Sequence, residues 1–299
     1  MELKQAQKQQ VKLRIGISGP SGFGKTYSAL LMAYGMTGDY SKIAIIDTEN
    51  GSASLYSELG SYNTLTLEPP YSPEKYIKAI EVCEKAKMEV IIIDSISHEW
   101  SGKGGCLEIQ EQLGGRFQDW AKVTPRHQAF IDKILQSTCH IITTVRKKVD
   151  YSMDTDSNGR TKVVKLGLKE IQREGFEYEL TVNFELLNDN HLVQVSKDRT
   201  GLFMNKPEFI ISSATGKRLI KWCNNGVELE QVRKEIDSCT TVEGLRHIYS
   251  KYSNLKDQIL EDIMTQKANI EEVQSHIVPN SEIIEHQKST DNGTESTTS

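Results

Sequence analysis

Long apolar runs are missing from this 299-residue chain. No stretch approaches the roughly 20 consecutive hydrophobic residues that a membrane-spanning helix needs, so a soluble protein is expected. Residues 1–10 are polar and rich in Gln and Lys, without the apolar segment of a secretory leader, and the cytoplasm is the expected compartment. Cysteine is sparse. Cys83, Cys106, Cys139, Cys223 and Cys239 are scattered with no CxxC pair, which argues against a zinc ribbon or a dithiol redox motif and for reduced thiols packed as small apolar groups. An excess of positive charge is absent as well. With 36 Lys and Arg against 41 Asp and Glu the net charge is -5, so any contact with nucleic acid must come from local basic surface rather than from the field of the whole molecule.

What is present is an alternation of strands and helices. Residues 12–18 read as a strand, followed by a Gly-rich turn and a helix over about 25–36; 43–47 and 90–94 are apolar runs of buried-strand type, and 63–67 is a shorter alternating one. Helices are expected at 73–87 and about 125–136, and a strand at 140–145. Such alternation implies right-handed crossovers and a mainly parallel sheet. Residues 151–159 form a polar insert expected as a hairpin or irregular loop, and two later strands, near 178–187 and 192–197, are expected to extend the sheet antiparallel. The chain then divides into a polar segment (1–10), an α/β core (11–222), a helical appendage (226–272) and a tail (279–299) too poor in apolar residues to fold.

Gly19-Pro20-Ser21-Gly22-Phe23-Gly24-Lys25-Thr26 satisfies the spacing G-x-x-x-x-G-K-[ST], with the strand before it and the helix after it that the motif requires. The glycines let successive backbone N–H groups turn toward a phosphate, Lys25 reaches the β and γ oxygens, and the Thr26 hydroxyl is a ligand for Mg²⁺. ATP with Mg²⁺ is the expected ligand pair. Asp94, which ends the most hydrophobic strand, fits the acidic position that holds the Mg²⁺ shell. Glu49, just past the strand at 43–47, is the leading candidate for activating the attacking water, and Glu99 is its rival.

The order of phosphate loop, Ile-Ile-Asp-Thr-Glu49, Ile-Ile-Ile-Asp94-Ser and Ile-Ile-Thr-Thr144-Val-Arg146 resembles the RecA-type recombinase core, which implies a RecA-like P-loop NTPase fold. More closely, the chain resembles the phage-encoded RecA-like ATPases, a group of phage nucleotide-binding, AAA-domain proteins linked to single-strand annealing recombination. The likeness runs over about 13–203 and includes Asp94-Ser-Ile-Ser-His-Glu-Trp100 and Lys197-Asp-Arg-Thr-Gly-Leu-Phe203. The resemblance implies Glu49 as the catalytic base. It places Thr144 where RecA has a phosphate-sensing glutamine, and makes Lys197 and Arg199 candidates for acting on the triphosphate of a neighbouring copy in a homo-oligomer. Arg146 is a candidate for the phosphate side or for DNA.

Single-stranded DNA is the expected partner, met by 100–120 (Lys103, Arg116, Phe117) and 146–169 (Lys147, Lys148, Arg160, Lys162, Lys165, Lys169), where basic residues and aromatics share a segment. A single-strand-binding protein is a further candidate partner for the appendage and tail. The leading function is a DNA-recombination ATPase acting in annealing, strand exchange or loading. Alternatives are a ring-forming motor or helicase, a small-molecule P-loop kinase, and a nucleotide-gated interaction module.

Overall fold

Side chains on successive strand residues point to opposite faces of a sheet, so a strand apolar at every position must be covered on both sides. Two segments of this chain, 43–47 and 90–94, are of that kind up to their closing aspartates, and the computed structural model, which describes residues 12–155, 161–253 and 255–277, places them inside the sheet. In chain order the elements are β1 (Arg14–Gly19), α1 (Lys25–Thr37), β2 (Ile43–Asp47), β3 (Asn63–Thr66), α2 (Pro73–Lys85), β4 (Val90–Asp94), α3 (Ser97–Ser101), α4 (Cys106–Gln112) and α5 (Trp120–Gln136). There follow β5 (His140–Thr155), β6 (Thr161–Glu170), α6 (Phe176–Glu179), β7 (Val182–Leu186), β8 (Leu192–Asp198), β9 (Phe209–Ile210), α7 (Ser213–Asp237), α8 (Val242–Lys251) and α9 (Lys256–Ile277). The segments at 1–10 and 279–299, and Arg160, lie outside the described residues.

The sheet runs β3-β2-β4-β5-β1-β7-β8-β9, and the six strands from β3 to β7 are parallel. Strand alternation sorts the core into two layers. Ile43, Ile45, Val90, Ile92 and Ile142 pack with Leu30, Met32 and Ala33 of α1 on one face, while Ala44, Ile46, Ile91, Ile93 and Ile141 pack with Tyr76 and Ile80 of α2 and Phe130 and Ile134 of α5 on the other. The first of the two late strands departs from the sequence expectation. β7 pairs in parallel with β1, and the antiparallel extension begins only at β8. The reason is the path of residues 171–181, which carries the chain back so that Thr181 donates its N–H to Arg14 O at the start of β1.

Two further differences lie around the sheet. The helix expected from about 125 begins at Trp120, with Pro125 inside it. The polar insert after 146 is an extension of β5, which pairs antiparallel with β6 in a register that joins Lys147 to Glu170 and Thr155 to Thr161.

Contacts divide the chain into two compact units at Asn224/Asn225. The C-terminal unit has its own small core of Val232 and Ile236 from α7, Leu245 and Ile248 from α8, and Leu255, Ile259 and Ile270 at and within α9. Among the described residues no helix is long and apolar enough to cross a membrane.

One buried titratable group ties the sheet to pH. His140 opens β5, and its Nδ1 accepts the Leu13 N–H at 3.0 Å, which requires that nitrogen to be unprotonated. Burial, helped by the charges of Lys12 and Arg14, pulls its pKa down to about 4. A folded-state pKa below the unfolded value means that stability is fully present above about pH 6.5 and is lost as the pH falls toward 4, by up to about 3 kcal/mol. Urea unfolding between pH 7 and pH 4.5 is expected to show this slope, and His140→Gln, whose amide oxygen can accept the same N–H, is expected to flatten it.

Candidate functional site

The parallel strands end together, and their register decides what meets there. Asp47 lies beside Asp94, Thr144 beside Ile17, and Arg146 beside Gly19, where the phosphate loop begins. Open α/β sheets present ligand sites at this carboxyl edge. Gly22 and Gly24 adopt left-handed conformations, with φ of 83° and 89°, which only glycine enters freely. Gly24 also caps α1 without a side-chain bond, so the first N–H groups of that helix remain available to an anion.

The Asp94 carboxylate is the hub. It is 1% exposed and accepts hydrogen bonds from Thr26 Oγ1 to Oδ2 and from Thr144 Oγ1 to Oδ1, both at 2.5 Å. Burial pushes its pKa up, against the two hydroxyls that favour the charged form. Lys25 is 8% exposed and donates from Nζ to Pro20 O at 2.8 Å, folded back across its own loop. Its burial lowers its pKa, with Asp94 and Glu49 opposing. A hydroxyl and a carboxylate in contact beside an ammonium are a hard-oxygen donor set of the type that holds Mg²⁺ together with a phosphate.

Glu49 sits past the end of β2, held by Asp47, whose Oδ1 accepts the Glu49 N–H at 2.6 Å and whose Oδ2 accepts that of Ala53. Its own carboxylate receives Arg146 Nε at 2.8 Å. Burial would raise the Glu49 pKa, but the hydrogen bond and charge of Arg146, with Lys25 and His98, outweigh it and leave it lowered. Thr48 stitches β2 to β4, its N–H donating to Asp94 O, its hydroxyl accepting the Ser95 N–H at 2.9 Å and meeting His98 Nδ1 at 2.7 Å.

Of these groups Lys25, Thr26, Glu49 and Asp94 border a cavity of about 400 Å³ that is also lined by Ser21, Gly22, Gly24, Tyr27, Ser52, Tyr56 and His191. Tyr27, Ser52, Tyr56 and His191 were not legible from the motif. His191 comes from the turn before β8 and contacts Phe23 O at 2.8 Å through Nδ1, a tertiary contact with no local signal. Ser52 Oγ is buried without a hydrogen-bond partner. Tyr56 lies seven residues beyond Glu49, an aromatic one to two turns into a helical segment, and that spacing was its available clue.

Glu99, the rival base, is elsewhere. It is fully buried on α3, where its carboxylate accepts from Cys106 Sγ at 3.0 Å and meets His127 Nδ1 at 3.0 Å. Atoms of metal-ligating type from these three residues lie within 4.8 Å of one another, yet thiol and imidazole already satisfy the carboxylate, and the trio is closed as a hydrogen-bonded group. Lys197 and Arg199 are also remote from the chain's own phosphate loop. Register places them by Asn183 and Thr181, at the opposite end of the sheet, where Lys197 Nζ donates to Glu177 O and Tyr178 O and Arg199 Nη2 to Tyr178 O.

The two segments expected to meet DNA do come together. Trp100 and Trp120 stack at 5.5 Å and 18°, and with Phe117, Lys148, Lys169 and Arg173 they line a groove of about 1130 Å³. Phe117 is 90% exposed. The groove is mixed in charge: Asp150, Glu170 and Glu174 line it too, and Lys169 pairs with Glu174 at 2.6 Å. Lys147 turns away and bonds Glu185 at 2.9 Å.

Compared with models of known protein families, residues 11–225 match one described as an AAA domain. No curated protein matches the chain.

Proposed function

From the premise that the chain belongs to the AAA-domain family, which brings nucleotide-binding ATPase activity with it, we propose that it hydrolyses ATP and couples the cycle to holding single-stranded DNA. The observation that carries the ATPase reading is the Thr26–Asp94–Thr144 cluster beside Lys25, with Glu49 on the wall of the same cavity. ATP is the substrate, its β- and γ-phosphates received by the N–H groups of the loop and by Lys25. Thr26 and Asp94 would hold Mg²⁺, which would supply positive charge to the phosphates. Glu49 takes the proton of the attacking water. The ring of Tyr56 and the hydroxyl of Ser52 line the same cavity, which supports them as contacts for the nucleotide.

The DNA half of the proposal is supported by the groove. Stacked indoles and an exposed phenyl ring accept bases without regard to sequence, and Lys148 and Arg173 suit the backbone. The groove is carried by the same segments that carry the site, Trp100 standing six residues after Asp94 and Lys148 two after Arg146. RecA-like assembly is the natural setting for Lys197 and Arg199, which are too far from their own phosphate loop to serve it and would serve that of a neighbouring copy.

Phosphate release from ATP, measured with and without single-stranded DNA, tests both halves. Lys25→Ala is expected to lower turnover by roughly 10²-fold or more, since it removes the cation from the transferred phosphoryl group. DNA is expected to stimulate the wild-type rate. Turnover indifferent to DNA would remove the DNA half and leave the ATPase; wild-type protein without turnover would remove both.

A further inference from the structure

Glycine gives a loop freedom as well as shape. Gly24 stands at φ 89°, and with no Cβ it enters conformations at negative φ about as readily. The peptide joining it to Phe23 can therefore turn over at little steric cost, and once turned it presents a carbonyl where an anion needs an N–H. The motif fixes which residues form the loop. Which way this peptide faces is left to a contact from outside it.

His191 makes that contact. Its Nδ1 lies 2.8 Å from Phe23 O, and because a carbonyl only accepts, Nδ1 carries the proton. The imidazole covers Gly24 as well, since a Cβ there would stand 2.8 Å from Nδ1 and 3.1 Å from Cε1. The Phe23–Gly24 peptide is trans, so its C=O and N–H point in opposite directions. A carbonyl held toward His191 thus turns the Gly24 N–H away from the ring.

The turn that carries His191 is shaped for this task. His191 is itself left-handed, at φ 62°, a conformation that a residue with a Cβ enters at a cost. Asn188 holds it there, its carbonyl accepting the His191 N–H at 3.2 Å and its Oδ1 the Leu192 N–H at 3.3 Å. The Leu187 N–H donates to Leu192 O at 2.9 Å and closes the hairpin between β7 and β8. His191 is exposed, so burial is not what draws the ring to the loop.

We propose that His191 is a positioning residue for the nucleotide: by holding the Phe23 carbonyl it keeps the Gly24 N–H turned into the loop as a donor to the β-phosphate. The same bond polarises the peptide and strengthens that N–H. The proposal rests on the nucleotide reading of the site and adds to it a residue that the phosphate-loop motif does not contain. ATP and ADP share the β-phosphate, so both are affected alike. The contact is made in the ground state and kept in the transition state, so its loss falls on KM rather than on kcat.

Two substitutions separate the donor from the turn. Gly and Asn both accept a left-handed backbone, so both keep the hairpin, but only Asn offers an N–H donor in place of Nδ1. Affinities for ADP and for a non-hydrolysable ATP analogue are measured by displacement of a fluorescent nucleotide, and steady-state turnover gives KM and kcat. His191→Gly is expected to weaken both nucleotides and raise KM for ATP by one common factor of about five, the usual weight of a single hydrogen bond. Its kcat at saturating ATP is expected to stay at the wild-type value. His191→Asn is expected to recover most of the affinity.

A turn that only packs against the loop would shift the melting temperature in both variants without this pattern. Wild-type affinity in His191→Gly overturns the proposal and leaves the nucleotide reading standing, as does a loss that His191→Asn shares in full or that falls on the triphosphate alone. If His191→Gly does not fold, His191→Ala, which also lacks the donor, decides on the same criteria. A wild-type chain that binds neither nucleotide overturns both readings.

Discussion

Replacing Glu49 by Gln is expected to reduce ATP turnover by roughly 10²–10⁴-fold, the usual contribution of a positioned general base. The change keeps the size of the side chain and removes its basicity. Nucleotide binding is expected to survive it, because Lys25, Thr26, Asp94 and the loop N–H groups are untouched; single-turnover and binding measurements would separate the two effects. Asp47 holds the backbone of residues 49 and 53 whatever the side chain at 49 does, so the variant should remain folded. The matching control is Glu99→Gln. If the base were Glu99, that variant would lose turnover instead, whereas burial against Cys106 and His127 predicts a stability cost and retained turnover in the folded protein.

That contrast shows what the sequence could and could not disclose. Both glutamates follow a buried strand by a few residues, and local pattern put Glu49 ahead of Glu99 without excluding the second. The family resemblance chose Glu49. Physically the difference lies in α3, whose helical turn starts at Ser97 and swings Glu99 inward toward α4 and α5 while Glu49 stays on the edge loop. The phosphate loop was legible because its chemistry needs fixed spacing along the chain, and Asp94 because it ends the most hydrophobic strand. Thr144 was legible only as a position, and its bond to Asp94 follows from β4 and β5 being neighbours, which spacing cannot state. The Glu49–Arg146 pair joins residues 97 apart and was beyond any local reading.

The fold divides in the same way. Strands β2 and β4 announced themselves because a strand covered on both faces must be apolar throughout. The direction of β7 did not, since a five-residue strand reads alike in either sense and its orientation is fixed by how 171–181 returns to the start of β1. The groove was half legible. Trp100, Phe117 and Trp120 marked one segment and the basic run after 146 the other, but the acids that share the groove, and the turning away of Lys147 to Glu185, come from pairing across β5 and β6 and from β7.

The largest stability effect is expected at a residue that carries no chemistry. Arg14 opens β1, is 5% exposed, and donates from Nη1 to Leu13 O and Cys139 O and from Nη2 to Leu135 O and Ser137 O, at 2.6 to 3.1 Å. Three of these carbonyls, those of Leu135, Ser137 and Cys139, close α5 and lead into β5, so one guanidinium satisfies acceptors that a helix end leaves unpaired and offsets the negative end of the helix dipole. Burial lowers its pKa to about 10, which keeps it charged at neutral pH. Arg14→Met fills similar space but strands several buried acceptors, and a loss of roughly 3–5 kcal/mol is expected. Arg14→Lys retains the charge but, with a single nitrogen in place of a planar fork, cannot span both pairs of carbonyls, and an intermediate loss is expected. Trp100, Trp120 and Trp222 all fall within 8–224, so urea unfolding followed by tryptophan fluorescence reports on the sheet unit and not on the C-terminal helices. A midpoint unchanged in Arg14→Met would mean that water reaches those carbonyls, and that the strap from β1 to the end of α5 does not hold the parallel sheet in register.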